Sequence, residues 1–147
     1  MILYPNVKIN LGLNVLRKRE DGFHELDTLF VPYFEICDTL EIEPSENLQI
    51  SIEKEGGVDW DPMSDLTVKA WRLMNEAYGI PPVRIHLIKN APVGAGLGGG
   101  SSDAAFMLKG LNEMFNLSLS EEVLARMAAK LGSDCAFFIY NKPMTGR

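Results

Sequence analysis

Apolar and polar residues alternate from residue 2 to residue 16, which predicts one long β-strand at the start of the chain. One face of this strand is apolar. The other face carries Lys8, Asn10, Gly12 and Asn14. A solvated surface is one interpretation of this second face, and a floor for a ligand is the other, because these side chains add little bulk. A polar turn that includes Asp21-Gly22 follows and predicts a hairpin, with residues 23–30 as the returning strand.

The same periodicity places further elements along the rest of the chain. Strands are predicted at residues 37–43, 48–53 and 83–89, and helices at 66–78, 103–115 and 120–131. Ser64 or Asp65 is expected to cap the first helix, and Gly132 is expected to end the third. Trp60 lies in a polar loop, where it is either a surface cap or a ligand contact.

Five glycines in eleven residues separate the strand at 83–89 from the following helix. The stretch runs Pro92, Val93, Gly94, Ala95, Gly96, Leu97, Gly98, Gly99, Gly100, Ser101 and Ser102. Glycine allows the backbone to approach a ligand closely, and the free N–H groups of a helix start favour an anion. The stretch therefore predicts a phosphate site, with serine hydroxyls available for a phosphate oxygen or a magnesium-bound water.

Two common phosphate loops fit this stretch poorly. A P-loop requires Gly-Lys-Ser/Thr, and no lysine occurs between Lys89 and Lys109. Gly94, Gly96 and Gly99 match a dinucleotide fingerprint, but a second helix, rather than a parallel strand, is predicted after the loop helix. A flexible turn with helix caps is the remaining alternative, although idle glycines would only cost backbone entropy.

Three segments together resemble the GHMP family of small-molecule kinases. They are Pro5 to Leu11, which has one extra residue before Lys8, the glycine stretch with Asp103-Ala104-Ala105, and Leu131 to Phe138. The resemblance implies ATP and Mg²⁺ at residues 92–102, with Ser101 or Ser102 assisting the metal, and Lys8 and Asp134 as catalytic residues. On its own, Asp134 would be interpreted as a cap of the next helical turn.

The resemblance also implies the fold, an α+β GHMP kinase amino-terminal domain with a mixed β-sheet backed by helices on one side. It does not extend to residue 65, where the family often has an asparagine on the adenine side and this chain has Asp65. No nucleotide contact is assigned to Asp65.

The hairpin segment is similar to GHMP kinases that act on 4-diphosphocytidyl-2-C-methyl-D-erythritol. Arg-x-Asp-Gly-Phe-His at 19–24 and Leu-x-Thr-Leu-Phe at 26–30 carry this similarity. It implies that Phe23 stacks on cytosine and that His24 reads the polar edge of the base. Asn10 is expected to place Lys8 or the substrate. An aromatic face beside a ring nitrogen is suitable chemistry for a nucleobase clamp.

Composition and charge limit the classes of function that this chain could have. The 147 residues are 46% hydrophobic and carry a formal net charge of −6, which argues against a broad nucleic-acid or membrane surface. Cys37 and Cys135 are too few for a disulfide framework and are expected to be reduced thiols. With no apolar run near the ~20 residues of a membrane span and no signal peptide, we expect a cytoplasmic protein.

The chain is expected to form one half of a two-domain enzyme. Residues 1–147 would be the amino-terminal, ATP-binding domain, and the carboxy-terminal domain of the family would be absent. We therefore expect self-association through exposed apolar surface and weak or absent turnover by this chain alone. The alternatives are a GHMP kinase with another substrate and a non-catalytic nucleic-acid-binding domain of the same fold, as found in a ribosomal protein.

Overall fold

The computed structural model describes residues 1–18, 24–94 and 96–146, and for residues 12–18, 24–28, 145 and 146 it describes the backbone alone. This part of the chain forms two β-sheets and four α-helices. In chain order the elements are β1 (Ile2–Leu3), β2 (Asn6–Lys18), β3 (His24–Cys37), β4 (Thr39–Pro44), β5 (Gln49–Lys54), α1 (Leu66–Tyr78), β6 (Val83–Lys89), α2 (Gly99–Met114), α3 (Glu121–Ala129), α4 (Cys135–Tyr140) and β7 (Met144–Gly146).

The first sheet is mixed and has the strand order β1-β4-β6-β5. β6 pairs in parallel with β5 and antiparallel with β4, and β1 pairs antiparallel with β4. Residues alternate between the two faces of a strand, so one face of β4 and β6 is apolar and fully buried, formed by Leu40, Ile42, Ile85 and Leu87. The helices cover this face, and the expected α+β fold is confirmed.

The prediction of a single strand at residues 2–16 is wrong in one respect. In the structure this segment divides into β1 and β2. β1 pairs with β4 in the first sheet, whereas β2 begins a separate antiparallel sheet of order β2-β3-β7. The division falls at Tyr4 and Pro5, and proline has no N–H to continue a ladder. The Pro5 carbonyl instead accepts a hydrogen bond from the Asp38 N–H at 2.9 Å.

β2 and β3 pair antiparallel, as the predicted hairpin requires, whereas its predicted turn at Asp21-Gly22 lies outside the described residues. The alternation of the two strands is interrupted. Asn10 pairs with Phe30 and Leu13 with Thr28, so three steps along β2 match two steps along β3. The extra residue in β2 forms a β-bulge, which shifts the faces of the strand beyond it. Leu11 consequently lies 59% exposed, although the simple alternation placed it with buried Val7.

The helices follow the periodicity closely. α1 has the predicted bounds, and Asp65 rather than Ser64 is its cap, since the Asp65 carboxylate accepts the Thr67 N–H at 3.0 Å. Ser120 caps α3, which ends at Ala129 two residues before the predicted Leu131. α1, α2 and α4 supply buried Met74, Met107, Leu111 and Phe138 to the core over the first sheet. None of the described helices is long and apolar enough to cross a membrane.

Candidate phosphoryl-transfer site

The glycine loop leads from β6 directly into the first turn of α2. Gly94, Gly96 and Gly98 all have φ between 72° and 75°, a backbone conformation that side chains with a Cβ rarely adopt. α2 begins at Gly99, four residues before the predicted start at Asp103, because glycine's low helix propensity disguises the first turn. Residues 99–102 are therefore helical rather than part of the loop.

The early helix start determines where the free backbone donors lie. The Ser102 N–H donates to the Gly98 carbonyl at 2.9 Å and so makes an intrahelical bond at the start of α2. The N–H groups of the turn before it have no such partner within the helix and point out of its positive end. They are the natural donors for an anion such as a nucleotide phosphate.

A cavity of about 450 Å³ opens at this helix end. Its walls come from the glycine loop, the start of α2 and the loop before α1. The described lining residues are Trp60, Ser64, Asp65, Leu66, Lys89, Pro92–Gly94 and Gly96–Ser101. The volume lies within the ~300–1,000 Å³ typical of small-molecule sites.

Trp60 and Asp65 form one wall of this cavity. The Trp60 indole N–H donates to Asp65 Oδ1 at 3.0 Å, while Asp65 Oδ2 accepts from the Thr67 hydroxyl at 2.6 Å and from the Thr67 N–H. The helix cap thus fixes the indole in place. The sequence left Trp60 undecided and assigned Asp65 no nucleotide contact, and the structure places both against the cavity.

Lys8 and Asp134, which are 126 positions apart in sequence, face each other beside the loop. Lys8 Nζ lies 3.7 Å from Asp134 Oδ2, and the Lys8 side chain is 6% exposed whereas that of Asp134 is 43% exposed. The Lys8 ammonium also lies 3.4 Å from the Gly96 carbonyl and 5.0 Å from the centre of the Phe30 ring. Asp134 precedes α4 but makes no side-chain cap bond, so its carboxylate is available to the site.

Backbone and side-chain contacts hold Lys8 and Asp134 in this arrangement. The Lys8 N–H donates to the Leu97 carbonyl at 2.9 Å, which ties β2 to the glycine loop. At the other end of α4, the Asn6 and Asn141 side chains exchange two hydrogen bonds of 3.0 and 2.7 Å. These contacts connect the strand that carries Lys8 with the short helix that follows Asp134.

Gly98 lies where the loop, β2 and α4 meet. A Cβ added at Gly98 would lie 3.0 Å from Phe138 Cε2 and 3.2 Å from Lys8 Cε, closer than ordinary van der Waals contact. The absent side chain therefore lets the loop lie directly against the catalytic lysine predicted from the sequence.

The two candidate serines have different surroundings. Ser101 lines the cavity. Ser102 is fully buried, and its Oγ has no hydrogen-bond partner among the described residues. Burial raises the pKa of Cys135, and nearby Asp134 adds to the rise while Ser101 opposes it, so this thiol stays protonated beside the carboxylate.

The predicted substrate residues are described only in part. Asn10 is exposed on β2, two residues after Lys8. For His24 the backbone is described, paired with Lys18, but not the side chain, and Phe23 and Ala95 lie outside the described residues. Their predicted roles stay predictions.

Lys89, which was not predicted from the sequence, lines the cavity yet is largely buried. The period of two along β6 could have found it, because Lys89 occupies the same face as Val83, Ile85 and Leu87. A lysine in the core position of a strand that ends at a glycine loop requires buried partners. Those partners are Asp38 and Asp103.

Comparisons with known proteins agree with this geometry. The family model described as GHMP kinases N terminal domain matches residues 65–142, more than half of the chain. The chain is 52% identical over 146 residues to a 4-diphosphocytidyl-2-C-methyl-D-erythritol kinase of Bacteroides fragilis, covering 97% of this chain and 53% of that protein. The kinase of the same name from Cytophaga hutchinsonii is 48% identical over 141 residues, covering 96% and 52%.

Solved structures show the same relationship. The crystal structure of a 4-(cytidine 5'-diphospho)-2C-methyl-D-erythritol kinase is similar with a TM-score of 0.79 and 38% identity, over 100% of this chain and 52% of that one. Methanococcus jannaschii mevalonate kinase, with a TM-score of 0.73 and 14% identity over 100% of this chain and 53% of its own, shares the fold. The chain spans about half the length of the curated relatives it matches. This chain belongs to the GHMP kinase family and carries its amino-terminal domain.

Proposed function

We propose that this chain supplies the ATP-binding and catalytic groups of a 4-diphosphocytidyl-2-C-methyl-D-erythritol kinase of non-mevalonate isoprenoid precursor biosynthesis. The observation that carries the proposal is the buried Lys8 ammonium 3.7 Å from the half-exposed Asp134 carboxylate, beside a glycine-lined cavity. A module that only bound a ligand would not need a paired acid and base at the edge of a phosphate site. The names of relatives near 50% identity supply the substrate.

ATP is the phosphoryl donor in this proposal. The residues fit it: Gly99, Gly100 and Ser101 at the start of α2 line the cavity, where the N–H groups of a first helical turn are free to bind an anion. The base would occupy the end of the cavity that includes Trp60, and the phosphates the end at Gly98–Ser101.

Mg²⁺ fits the same site through oxygen ligands. Within residues 1–18, 24–94 and 96–146, no group of three or more His, Cys, Asp or Glu is arranged to hold a metal by itself. Mg²⁺ usually binds through one or two protein oxygens together with substrate phosphates, and Ser101 and Asp134 have the suitable chemistry. When bound, the ion would neutralise phosphate charge during transfer.

Asp134 acts as the proton acceptor. The O–H bond of the substrate 2-hydroxyl breaks, its proton passes to Asp134, and its oxygen bonds to the γ-phosphorus. The bond from the γ-phosphorus to the bridging oxygen breaks, and ADP leaves. Lys8 orients Asp134 and offsets the negative charge on the transferring group. Phe23, His24 and Asn10 hold the diphosphocytidyl alcohol.

Residues 1–147 form the amino-terminal domain of a two-domain kinase in this proposal. The other domain would complete the substrate side of the site. Turnover by this chain alone is therefore expected to be weak.

Titration of the chain tests the nucleotide site. Gly98→Ala should weaken binding of a non-hydrolysable ATP analogue with Mg²⁺ at least about tenfold, because its Cβ would displace Lys8 and Phe138. Gly79→Ala is the matched control, since Gly79 also has positive φ but a Cβ there meets nothing within 4 Å. Equal affinity of both variants for the analogue would contradict the proposed site.

The substrate is tested by the same method. The chain should bind 4-diphosphocytidyl-2-C-methyl-D-erythritol, and Phe23→Ala should weaken that binding by about 1–3 kcal/mol if the ring stacks on the base. Equal affinity for mevalonate would point to another member of the GHMP family.

A further inference from the structure

A buried cluster of three charged side chains lies behind the glycine loop. Asp38, Lys89 and Asp103 are 1%, 9% and 2% exposed. Lys89 Nζ lies 2.9 Å from Asp38 Oδ2 and 2.5 Å from Asp103 Oδ2. One ammonium therefore connects two carboxyl groups that lie 65 positions apart in sequence.

The cluster contacts both ends of the loop. Asp38 Oδ1 accepts the Asn90 N–H at 2.7 Å and the Ala91 N–H at 2.9 Å, and these are the two residues that follow β6. Asp103 lies in α2 immediately after the Ser101-Ser102 pair. The backbone between these two anchors contains three glycines with positive φ, so little within the loop itself restricts its shape.

Burial and charge act together on the pKa values of Asp103 and Lys89. Burial raises the pKa of Asp103 well above its usual range; Lys89 opposes the rise, and nearby Asp38 adds to it. Burial lowers the pKa of Lys89, but the two carboxyl groups outweigh it, so the pKa of Lys89 is raised and its ammonium is retained. Asp103 Oδ1 is buried and has no hydrogen-bond partner among the described residues.

Burial works against a second charged carboxylate in this cluster, because it raises the pKa of Asp103. A second buried negative charge would lie one residue from Ser102 and would repel a phosphate at the helix end. The raised pKa of Asp103 acts against that repulsion.

Stability alone gives little reason for such a cluster, because buried ion pairs can often be replaced by apolar residues without loss. We propose that Asp38, Lys89 and Asp103 are positioning residues that hold both ends of the glycine loop, so that its N–H groups face the cavity. The proposal rests on the proposed function only in taking a nucleotide phosphate as the ligand of those groups.

Hydrogen exchange of the ligand-free chain tests the positioning directly. Asp103→Ala should speed exchange of the amides at residues 90–98 at least about tenfold, because one anchor is lost and local opening becomes easier. Asp103→Asn should restore slow exchange, since an amide can donate to Asp38 and accept from Lys89. If Asp103→Ala is too unstable to purify, Asp103→Leu replaces it in the test. It also removes the carboxyl group, but it fills the space of the Asp103 side chain.

Leu111→Val is the matched control, a buried change in the same helix but away from the loop. Unchanged loop exchange in both Asp103→Ala and Asp103→Leu would overturn the positioning role. So would an equal acceleration of loop exchange in Leu111→Val, since that would make the effect one of general stability.

Titration with the ATP analogue and Mg²⁺ separates this proposal from the proposed function. Weaker binding by Asp103→Ala, restored by Asp103→Asn, supports both. Faster loop exchange in Asp103→Ala, without any nucleotide binding by the unaltered chain, supports the positioning role and rejects the nucleotide site. If Asp103→Ala binds the ATP analogue with the same affinity as the unaltered chain, the positioning role is rejected.

Discussion

At the scale of single residues, Lys8 joins three parts of the candidate site. Its backbone N–H is bonded to the glycine loop, its ammonium faces Asp134, and its methylene chain fills the space left by the missing side chain of Gly98. The side chain is buried, so its charge is only weakly screened by water. A buried lysine in this position is better suited to acting on a phosphoryl group than to stabilising the fold.

Lys8→Met is expected to lower the rate of phosphoryl transfer by at least about a hundredfold, because the variant keeps the length of the side chain but removes the charge.

Asp134→Asn should lower the rate of phosphoryl transfer about 10²–10⁴-fold, as expected when a general base is removed. The measurement is transfer of labelled phosphate to the diphosphocytidyl alcohol, which detects slow turnover.

Lys69→Met is the control for this prediction, since Lys69 is exposed on α1. Its rate should equal that of the unaltered chain. Retention of full transfer by Lys8→Met would remove Lys8 from the proposed mechanism.

At the scale of elements, two contacts hold the C-terminal end of α4. The Lys109 ammonium of α2 donates to the Phe138 carbonyl at 2.8 Å and lies 4.2 Å from the centre of the Phe106 ring. Asn141, at the other contact, is the C-terminal cap of α4 and pairs with Asn6. The Lys109 ammonium satisfies a carbonyl at the C-terminal end of α4, where a positive charge is favourable.

Lys109 predicts a specific dependence of stability on pH. Burial lowers the pKa of Lys109 to about 8, with Glu121 offsetting part of the shift. In the unfolded chain the pKa is about 10.4, so between these values the unfolded state binds more protons. The free energy of unfolding should therefore rise with pH from about 8 to about 10.4 relative to Lys109→Met.

Denaturant unfolding across this pH range provides the measurement. Lys130→Met, a change at an exposed lysine, should keep the slope of the unaltered chain. A Lys109→Met variant with that same slope would show that Lys109 does not titrate as the structure implies.

Local sequence signals predicted some elements correctly and others not. The bounds of α1 and β6 followed from periodicity and from Asp65, Gly79 and the prolines after it, because these signals are local. The start of α2 did not, since glycine gives no helical pattern. The cluster around Lys89 could not be predicted because its partner Asp38 comes from a distant strand end, and only the tertiary fold brings them together.

The pairing of Lys8 with Asp134 was expected from family resemblance and could not have come from spacing alone. Two short segments near opposite ends of the chain are brought together by α2 and α4. The β-bulge after Asn10 was also beyond the sequence pattern, since one extra residue leaves the alternation of letters unchanged.

At the scale of the whole molecule, the β2–β3 hairpin presents apolar side chains to solvent. Leu11, Leu29 and Phe34 are 59%, 41% and 63% exposed. Apolar side chains exposed together on one hairpin indicate a surface that binds another protein or domain. A further domain, as the length of the relatives suggests, would be a suitable cover.

We predict that the chain self-associates through this hairpin. Sedimentation velocity over a concentration series should show a rising average mass, and Leu11→Ser with Phe34→Ser should reduce it, because the apolar area available for burial falls. Met63→Ser is the control, since Met63 is 40% exposed but lies away from the hairpin. A concentration-independent monomer would contradict the prediction.

The first turn of α2 carries a consequence for mutagenesis. Gly99 and Gly100 offer backbone N–H groups and no side-chain atoms, so the phosphate contacts of these two residues lie in the main chain. Scanning experiments that shorten side chains would therefore find few sensitive positions here. Enlarging each residue by a methyl group would reveal the site instead, and an inhibitor that copies only side-chain contacts would overlook it.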